Sequence, residues 1–254
     1  MTTIDLNCDL GESFGRYELG EQDEILKYVT SANIACGFHA GDPSVMRKTV
    51  EKAVQHGVKI GAHPSFSDLV GFGRREMAVS PQEAYDMVVY QIGALQGFAQ
   101  LHGESIHHVK PHGAMYNMAA KNKELAQAIA QAVYDSSPTL ILYGLANSEL
   151  TRAGEMLGLT VAHEVFADRT YQPDGTLTSR TLPNAMITDE QVALRQIEQM
   201  VLRGNVTAVD ETVVPLEAHT ICVHGDTVQA VQFVKNIAQH LNDKEVKIEP
   251  VGSS

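Results

Sequence analysis

The feature that most constrains this chain is a repeated unit: an apolar stretch of strand length, a glycine-rich or polar corner, then an amphipathic helix. Roughly seven such units follow one another, and strands alternating with helices imply a parallel sheet. The clearest corner is Ser31–Pro43, SANIACGFHAGDP. Its apolar run, residues 32–36, breaks at Gly37, presents His39 among small residues, and re-enters helix through Asp42-Pro43. An aspartate there caps orphan N–H groups, and proline suits the first turn, where a missing donor costs nothing.

Strands are expected at residues 3–9, 32–36, 58–62, 106–110, 139–143, 160–166 and 218–223. Helices are expected at 21–29, after Pro43, after Ser80-Pro81, and at 121–134, 148–157, 188–202 and 227–241. Ser80 with Glu83 reads as a capping box, as does Thr188 with Gln191. The first strand places Asp5, Asn7 and Asp9 on one face and Ile4, Leu6 and Cys8 on the other. Residues capable of chemistry follow nearly every strand. An open doubly wound sheet would concentrate them at one switch point, so a closed TIM-like (β/α) barrel of the α/β class fits better. The 254 residues suit one such domain, 1–254, with no linker or low-complexity segment.

With 44% hydrophobic residues the chain can fill a large core, and a net charge of −12 argues against nucleic acid or an anionic membrane as partner. Three cysteines without a CxxC pair do not make a disulfide framework. The start, MTTIDLNCDLGE, has neither the basic nor the apolar region of a secretion signal, and no apolar run approaches the ~20 residues of a membrane span. A soluble, cytoplasmic protein is expected.

Eleven histidines need sorting. His56, His102 and His240 sit in last turns of helices, where a cation or donor suits the free carbonyls, and read as structural. His39, His63, His112 and His224 each follow a strand, and a barrel would bring all four to one mouth. Asp9 shares a strand face with Asn7. Carboxylate plus imidazole can hold a divalent metal, with Asp9, His39 and His63 as candidates, or serve metal-free acid–base chemistry. Lys110 is either an ion-pair partner of Glu164 or Asp168 across the barrel or an electrophile facing substrate. Arg74 and Arg75, in the GFGRR loop, can form an anion fork or decorate a solvated loop. That loop lacks the third glycine and the strand-to-helix setting of a dinucleotide site, and there is no GxxxxGK[ST].

Seven segments together carry a resemblance: DLNCDLGESFG (5–15), SANIACGFHAGDP (31–43), GAHPSFSD (61–68), GFGRRE (71–76), VKPHGAMYN (109–117), EVFADRTY (164–171) and CVHGDT (222–227). In this order they resemble the LamB/YcsF family, assigned as the A component of the bacterial 5-oxoprolinase. The resemblance implies a seven-stranded, distorted TIM-like barrel of the glycoside hydrolase/deacetylase type. It also implies opening of the 5-oxoproline lactam to glutamate, with ATP as co-substrate and with 5-oxoprolinase subunits B and C as partners. On that reading the partners handle ATP and activate the lactam. His39 or His63 is the base, oriented by Asp9, and Lys110 with His112 stabilises the oxyanion. Asn7, Asn33, Arg74, Arg75, Glu164, Asp168 and His224 are substrate-binding candidates. A stand-alone metal-dependent amide hydrolase or deacetylase, and a non-catalytic substrate-binding component, are the alternatives. Alanine at His39 or Lys110 is expected to abolish turnover with folding intact.

Overall fold

The structure, a computed structural model, describes residues 2–17, 22–223 and 228–253. Seven parallel strands close into a barrel: β1 (Thr3–Leu10), β2 (Ser31–Ala35), β3 (Lys59–His63), β4 (His108–Val109), β5 (Ile141–Leu145), β6 (Val161–Phe166) and β9 (Thr220–Val223). Closure is direct, since β9 pairs with β6 on one side and with β1 on the other. The helices are α1 (Gln22–Ile25), α2 (Pro43–Gln55), α3 (Pro81–Gln100), α4 (Gly113–Ala119), α5 (Lys123–Ser136), α6 (Glu149–Leu157), α7 (Glu190–Arg203) and α8 (Val228–Asp243). A hairpin, β7 (Asn205–Thr207) with β8 (Val213–Pro215), precedes β9, and β10 (Lys247–Ile248) adds parallel to the start of β1. None of the described helices is long and apolar enough to cross a membrane.

Period-two alternation divides each barrel strand between two environments. Leu6, Ile34, Val109, Leu142, Val165 and Ile221 are fully buried in the main hydrophobic cluster, to which the helices also contribute. Each such burial is worth about 1.5–3 kcal/mol. The other set points inward and is largely polar: Asp5, Asn7 and Asp9 from β1, Ser31 and Asn33 from β2, His63 from β3, His108 from β4, Tyr143 from β5, Glu164 from β6, Thr220 from β9. Gly61 on β3 is glycine because the His108 ring occupies the space its Cβ would need.

The expected caps at Asp42 and Ser80 are present, Asp42 accepting from the Ser44 and Val45 N–H groups and Ser80 forming a reciprocal box with Glu83. Two corrections concern local signals. Asp189, not Thr188, caps α7 by accepting from the Val192 N–H, because a carboxylate one residue later is the stronger acceptor. The strand expected over 106–110 pairs regularly only at His108–Val109, since Pro111 has no N–H and the chain turns at once into the short α4.

Candidate active site at the barrel mouth

The C-terminal ends of β1, β3 and β4, with the corner after β2, bring Asp9, Glu12, His39, His63, Lys110 and His112 together. His39, His63 and His112 are all buried, as are Lys110 and, nearly so, Glu12. His39 stacks on His112 with ring centroids 3.8 Å apart, and His63 meets both edge-on. Neither ring nitrogen of His39 makes a hydrogen bond among the described residues.

Two backbone carbonyls decide where the protons lie. His63 Nδ1 is 2.7 Å from the Lys110 carbonyl oxygen, and His112 Nε2 is 2.9 Å from the Phe72 carbonyl oxygen. A carbonyl only accepts, so each of these nitrogens carries the hydrogen. The remaining nitrogens, His63 Nε2 and His112 Nδ1, face each other at 2.9 Å. Two lone pairs at that distance repel unless a proton or a metal cation lies between them. Glu12 Oε1 stands 3.4 Å from His39 Nε2 and 3.7 Å from His112 Nδ1. One ligand atom from each of Glu12, His39, His63 and His112 falls within 4.8 Å of all the others.

This group differs from the metal set expected from sequence. Glu12 and His112 join His39 and His63, while Asp9 stands beside the group, its Oδ2 3.3 Å from His63 Nε2. Asp9 is instead turned toward Lys110, whose Nζ lies 3.0 Å from Asp9 Oδ1, 2.7 Å from Glu164 Oε1, 3.1 Å from Asn7 Oδ1 and 3.1 Å from Cys222 Sγ. Of the two readings of Lys110, the structure shows the ion pair with Glu164. Its three ammonium protons face these four acceptors.

Electrostatics follows this geometry. Burial opposes the Asp9 charge, but His63 and Lys110 outweigh it and hold the carboxyl well below its usual range. Burial likewise opposes the Lys110 charge, and Asp9, Cys222 and Glu164 reverse the effect, raising it well above the usual lysine value. Burial, followed by the influence of His63, pushes His112 down to about 3. Burial also lowers His39, with His112 and His63 adding to it. Both rings are therefore neutral at neutral pH. Lys110 stands between the carboxylates of Asp9 and Glu164, 3.0 Å and 2.7 Å away.

The other expected residues divide. Asn7 donates to Glu164 Oε1 at 3.0 Å and Thr220 Oγ1 at 2.7 Å, and Asn33 donates to Asn7 Oδ1 at 2.7 Å and Asp9 Oδ1 at 2.8 Å. Both hold the wall together. Glu164 also accepts from the buried Tyr116 hydroxyl at 2.6 Å. Arg74 is exposed, its guanidinium 5.1 Å above the Phe72 ring, which in turn meets His39 and His112 edge-on. Arg75 is ion-paired with Asp68 and is not turned to the histidines. Asp168 lies beyond the end of β6, half-buried, its carbonyl accepting from Ile187. His224 lies outside the described residues. Two site residues, Glu12 and Tyr116, carry no sequence signal of their role. Glu12 sits in the loop DLGES, where a carboxylate reads as ordinary solvated polarity, and Tyr116 is on a helix too short to show a periodicity.

Fold and site define a seven-stranded (β/α) barrel with an acid–imidazole centre at its C-terminal strand ends. The chain belongs to the LamB/YcsF family, which it matches over residues 4–254. It is 60% identical over 248 residues to a Brevibacillus brevis protein named as the A component of 5-oxoprolinase, covering 98% of each chain. A crystal structure of a lactam utilization protein from Thermus thermophilus superposes with a TM-score of 0.91 at 44% identity, covering 97% of this chain and 99% of that one. A family 4 carbohydrate esterase from Streptomyces lividans shares the fold, with a TM-score of 0.53 at 14% identity over 99% of this chain and 93% of its own.

Proposed function

We propose that this chain is the A component of a cytoplasmic, ATP-dependent 5-oxoprolinase. With subunits B and C it opens the lactam of 5-oxoproline to L-glutamate. The observation that carries the reading is the 60% identity, over 98% of both chains, to a protein bearing that name. The site suits the chemistry. Hydrolysis adds a water oxygen to the lactam carbonyl carbon, breaks the C–N bond and leaves a proton on the nitrogen. In its neutral form His63 carries its lone pair on Nε2, and the Asp9 carboxylate 3.3 Å away stabilises the imidazolium that forms, so His63 takes the proton from water. Lys110 acts through Asp9, fixing that carboxylate between strands. Arg74, with no ion-pair partner among the described residues, anchors the substrate carboxylate at the rim. Opening an unstrained lactam benefits from coupling to ATP, and this chain carries no glycine-rich phosphate motif. On this reading the nucleotide step involves the partners.

A divalent metal fits the same centre on the chemistry of its donor set, four ligand atoms within 4.8 Å of one another. Glu12, His39, His63 and His112 would hold it, with the Lys110 and Phe72 carbonyls fixing two of the rings from behind. Such an ion, when bound, polarises a carbonyl and acidifies water.

The test is glutamate release from 5-oxoproline and ATP by the three purified chains. Release that requires all three, and disappears with His63→Ala, supports the proposal. Equal release by subunits B and C alone removes this chain from the reaction. ATP-independent, chelator-sensitive amide hydrolysis by this chain alone would favour the metal-dependent hydrolase reading instead.

A further inference from the structure

The GFGRR loop lacks the third glycine of a dinucleotide motif, and its backbone is held in an unfavourable form. Phe72 has φ +54, a left-handed conformation that a bulky aromatic rarely adopts. Such outliers persist only where the surroundings over-determine them, and they gather at functional sites.

The surroundings here are Asp68. Its carboxylate accepts from the Gly71 N–H at 2.9 Å, from the Arg75 N–H at 3.3 Å and from the Arg75 guanidinium. Its own carbonyl accepts from the Gly73 N–H at 2.9 Å. One residue thus gathers both ends and the middle of the segment 71–75. Two successive carbonyls of that segment point at the active-site wall. That of Phe72 accepts from His112 Nε2, and that of Gly73 accepts from the Ala114 N–H at 2.8 Å, at the start of α4. The fit is close. A Cβ on Gly73 would collide with Ser65 Oγ and lie 2.8 Å from His39 Cβ and 2.9 Å from His112 Cδ2.

We propose that Asp68 is a positioning residue: by clamping the loop it aims the Phe72 carbonyl at His112 Nε2 and so keeps His112 Nδ1 unprotonated and facing the reaction centre. The contacts of Asp68 are with residues 66–75 and none is with His112, so it acts on His112 through the loop backbone. Without the clamp, Phe72 relaxes from its left-handed form and its carbonyl swings away. Nothing then favours the Nε2–H tautomer, and a hydrogen on Nδ1 would point at His63 Nε2, 2.9 Å away. The significance for turnover rests on the lactam-opening reading. The tautomer itself does not.

The experiment is two-bond 1H–15N correlation spectroscopy on the 15N-labelled full chain at pH 8, with His112 assigned by its disappearance in His112→Gln. The native chain should show His112 wholly as the Nε2–H form. Asp68→Ala should show a substantial Nδ1–H fraction, and Arg75→Ala a smaller shift in the same direction. Arg75 is exposed, so its variant remains informative if Asp68→Ala does not fold. In the reconstituted enzyme, Asp68→Ala should lower kcat by about 10–100-fold, the usual effect of losing an outer-shell partner, with little change in KM. A folded variant in which His112 stays entirely Nε2–H overturns the proposal. A tautomer shift without loss of turnover keeps the positioning role and counts against the lactam-opening reading instead.

Discussion

Asp5 and Asp9 stand four residues apart on one strand and one face, yet the barrel treats them in opposite ways. On the barrel floor, Asp5 accepts from Thr30 at 2.6 Å, Ser31 at 2.7 Å, Tyr143 at 3.1 Å and Thr220 at 2.5 Å. All four donors are neutral hydroxyls. Burial raises its pKa, and the hydroxyls only partly offset the rise. At the mouth, Asp9 meets Lys110 and His63 and is held strongly ionised. The floor is a closed network of carboxylate and hydroxyls. The mouth couples an ionised carboxylate to a buried lysine and packs three imidazoles together, one of them, His39, with neither nitrogen hydrogen-bonded among the described residues. Polar burial therefore takes two forms in one barrel: a closed network of neutral donors at the floor, and charge-coupled groups at the mouth, where the proposed chemistry is placed.

The largest effect should come from Lys110→Met. It leaves Asp9 and Glu164 buried without their cation, which costs about 3–5 kcal/mol of stability. Turnover should be lost as well. Chemical denaturation and the glutamate assay measure the two. Intact folding, as expected from sequence alone, is no longer the expectation for this residue, because the structure gives it two carboxylate partners. Retained stability in Lys110→Met would mean that the mouth is not charge-coupled as described.

Next in size is metal binding. Zn²⁺ or Mn²⁺ at about 100 times its Kd should stabilise the purified chain by about 2.7 kcal/mol. A thermal-shift series reads this, and His112→Gln should remove the response while Ser31→Ala on the floor keeps it. An equal response in all three would place the ion elsewhere.

The pH dependence separates the layers by sign. His39 and His112 are buried neutral, with folded pKa values below the unfolded 6.5. The unfolded chain binds their protons first, so stability falls as pH drops below about 6.5, by up to ~1.4 kcal/mol per unit per histidine. Asp5 contributes with the opposite sign, since its raised pKa favours the folded state at low pH and the advantage fades as pH rises through the folded value. Urea denaturation at pH 7.5 and 5.5 should show the loss on acidification, with a flatter slope in His112→Gln. An unchanged slope would show that His112 is not the titrating group. The smallest effect belongs to Ser31→Ala, which removes one of four donors to Asp5. It should cost about 1 kcal/mol and leave turnover unaltered.

Much of this contrast is legible in the sequence, and the rest is hidden for physical reasons. The alternation of β1 announces that Asp5, Asn7 and Asp9 share a face, and the strand-to-helix corners announce His39, His63 and His112. Periodicity does not say how deep along the barrel a residue lies, so Asp5 and Asp9 look alike. The clamp between Asp68 and Arg75 is equally invisible, because two adjacent arginines in a glycine loop read identically until one is paired. The hairpin β7–β8 and strand β10 are two or three residues per strand, too short for a period-two signal. Glu12 escapes a sequence reading because its role depends on a loop folding back over the mouth.

The most direct test compares the two aspartates in the reconstituted enzyme. The kcat for glutamate release should be unchanged within about twofold in Asp5→Asn, whose hydroxyl partners can rotate to accept from the amide. In Asp9→Asn it should fall at least about 100-fold, the scale of losing a group that supports general base catalysis. Equal losses in the two variants, or full activity in Asp9→Asn, would contradict the assignment of the chemistry to the mouth of this barrel.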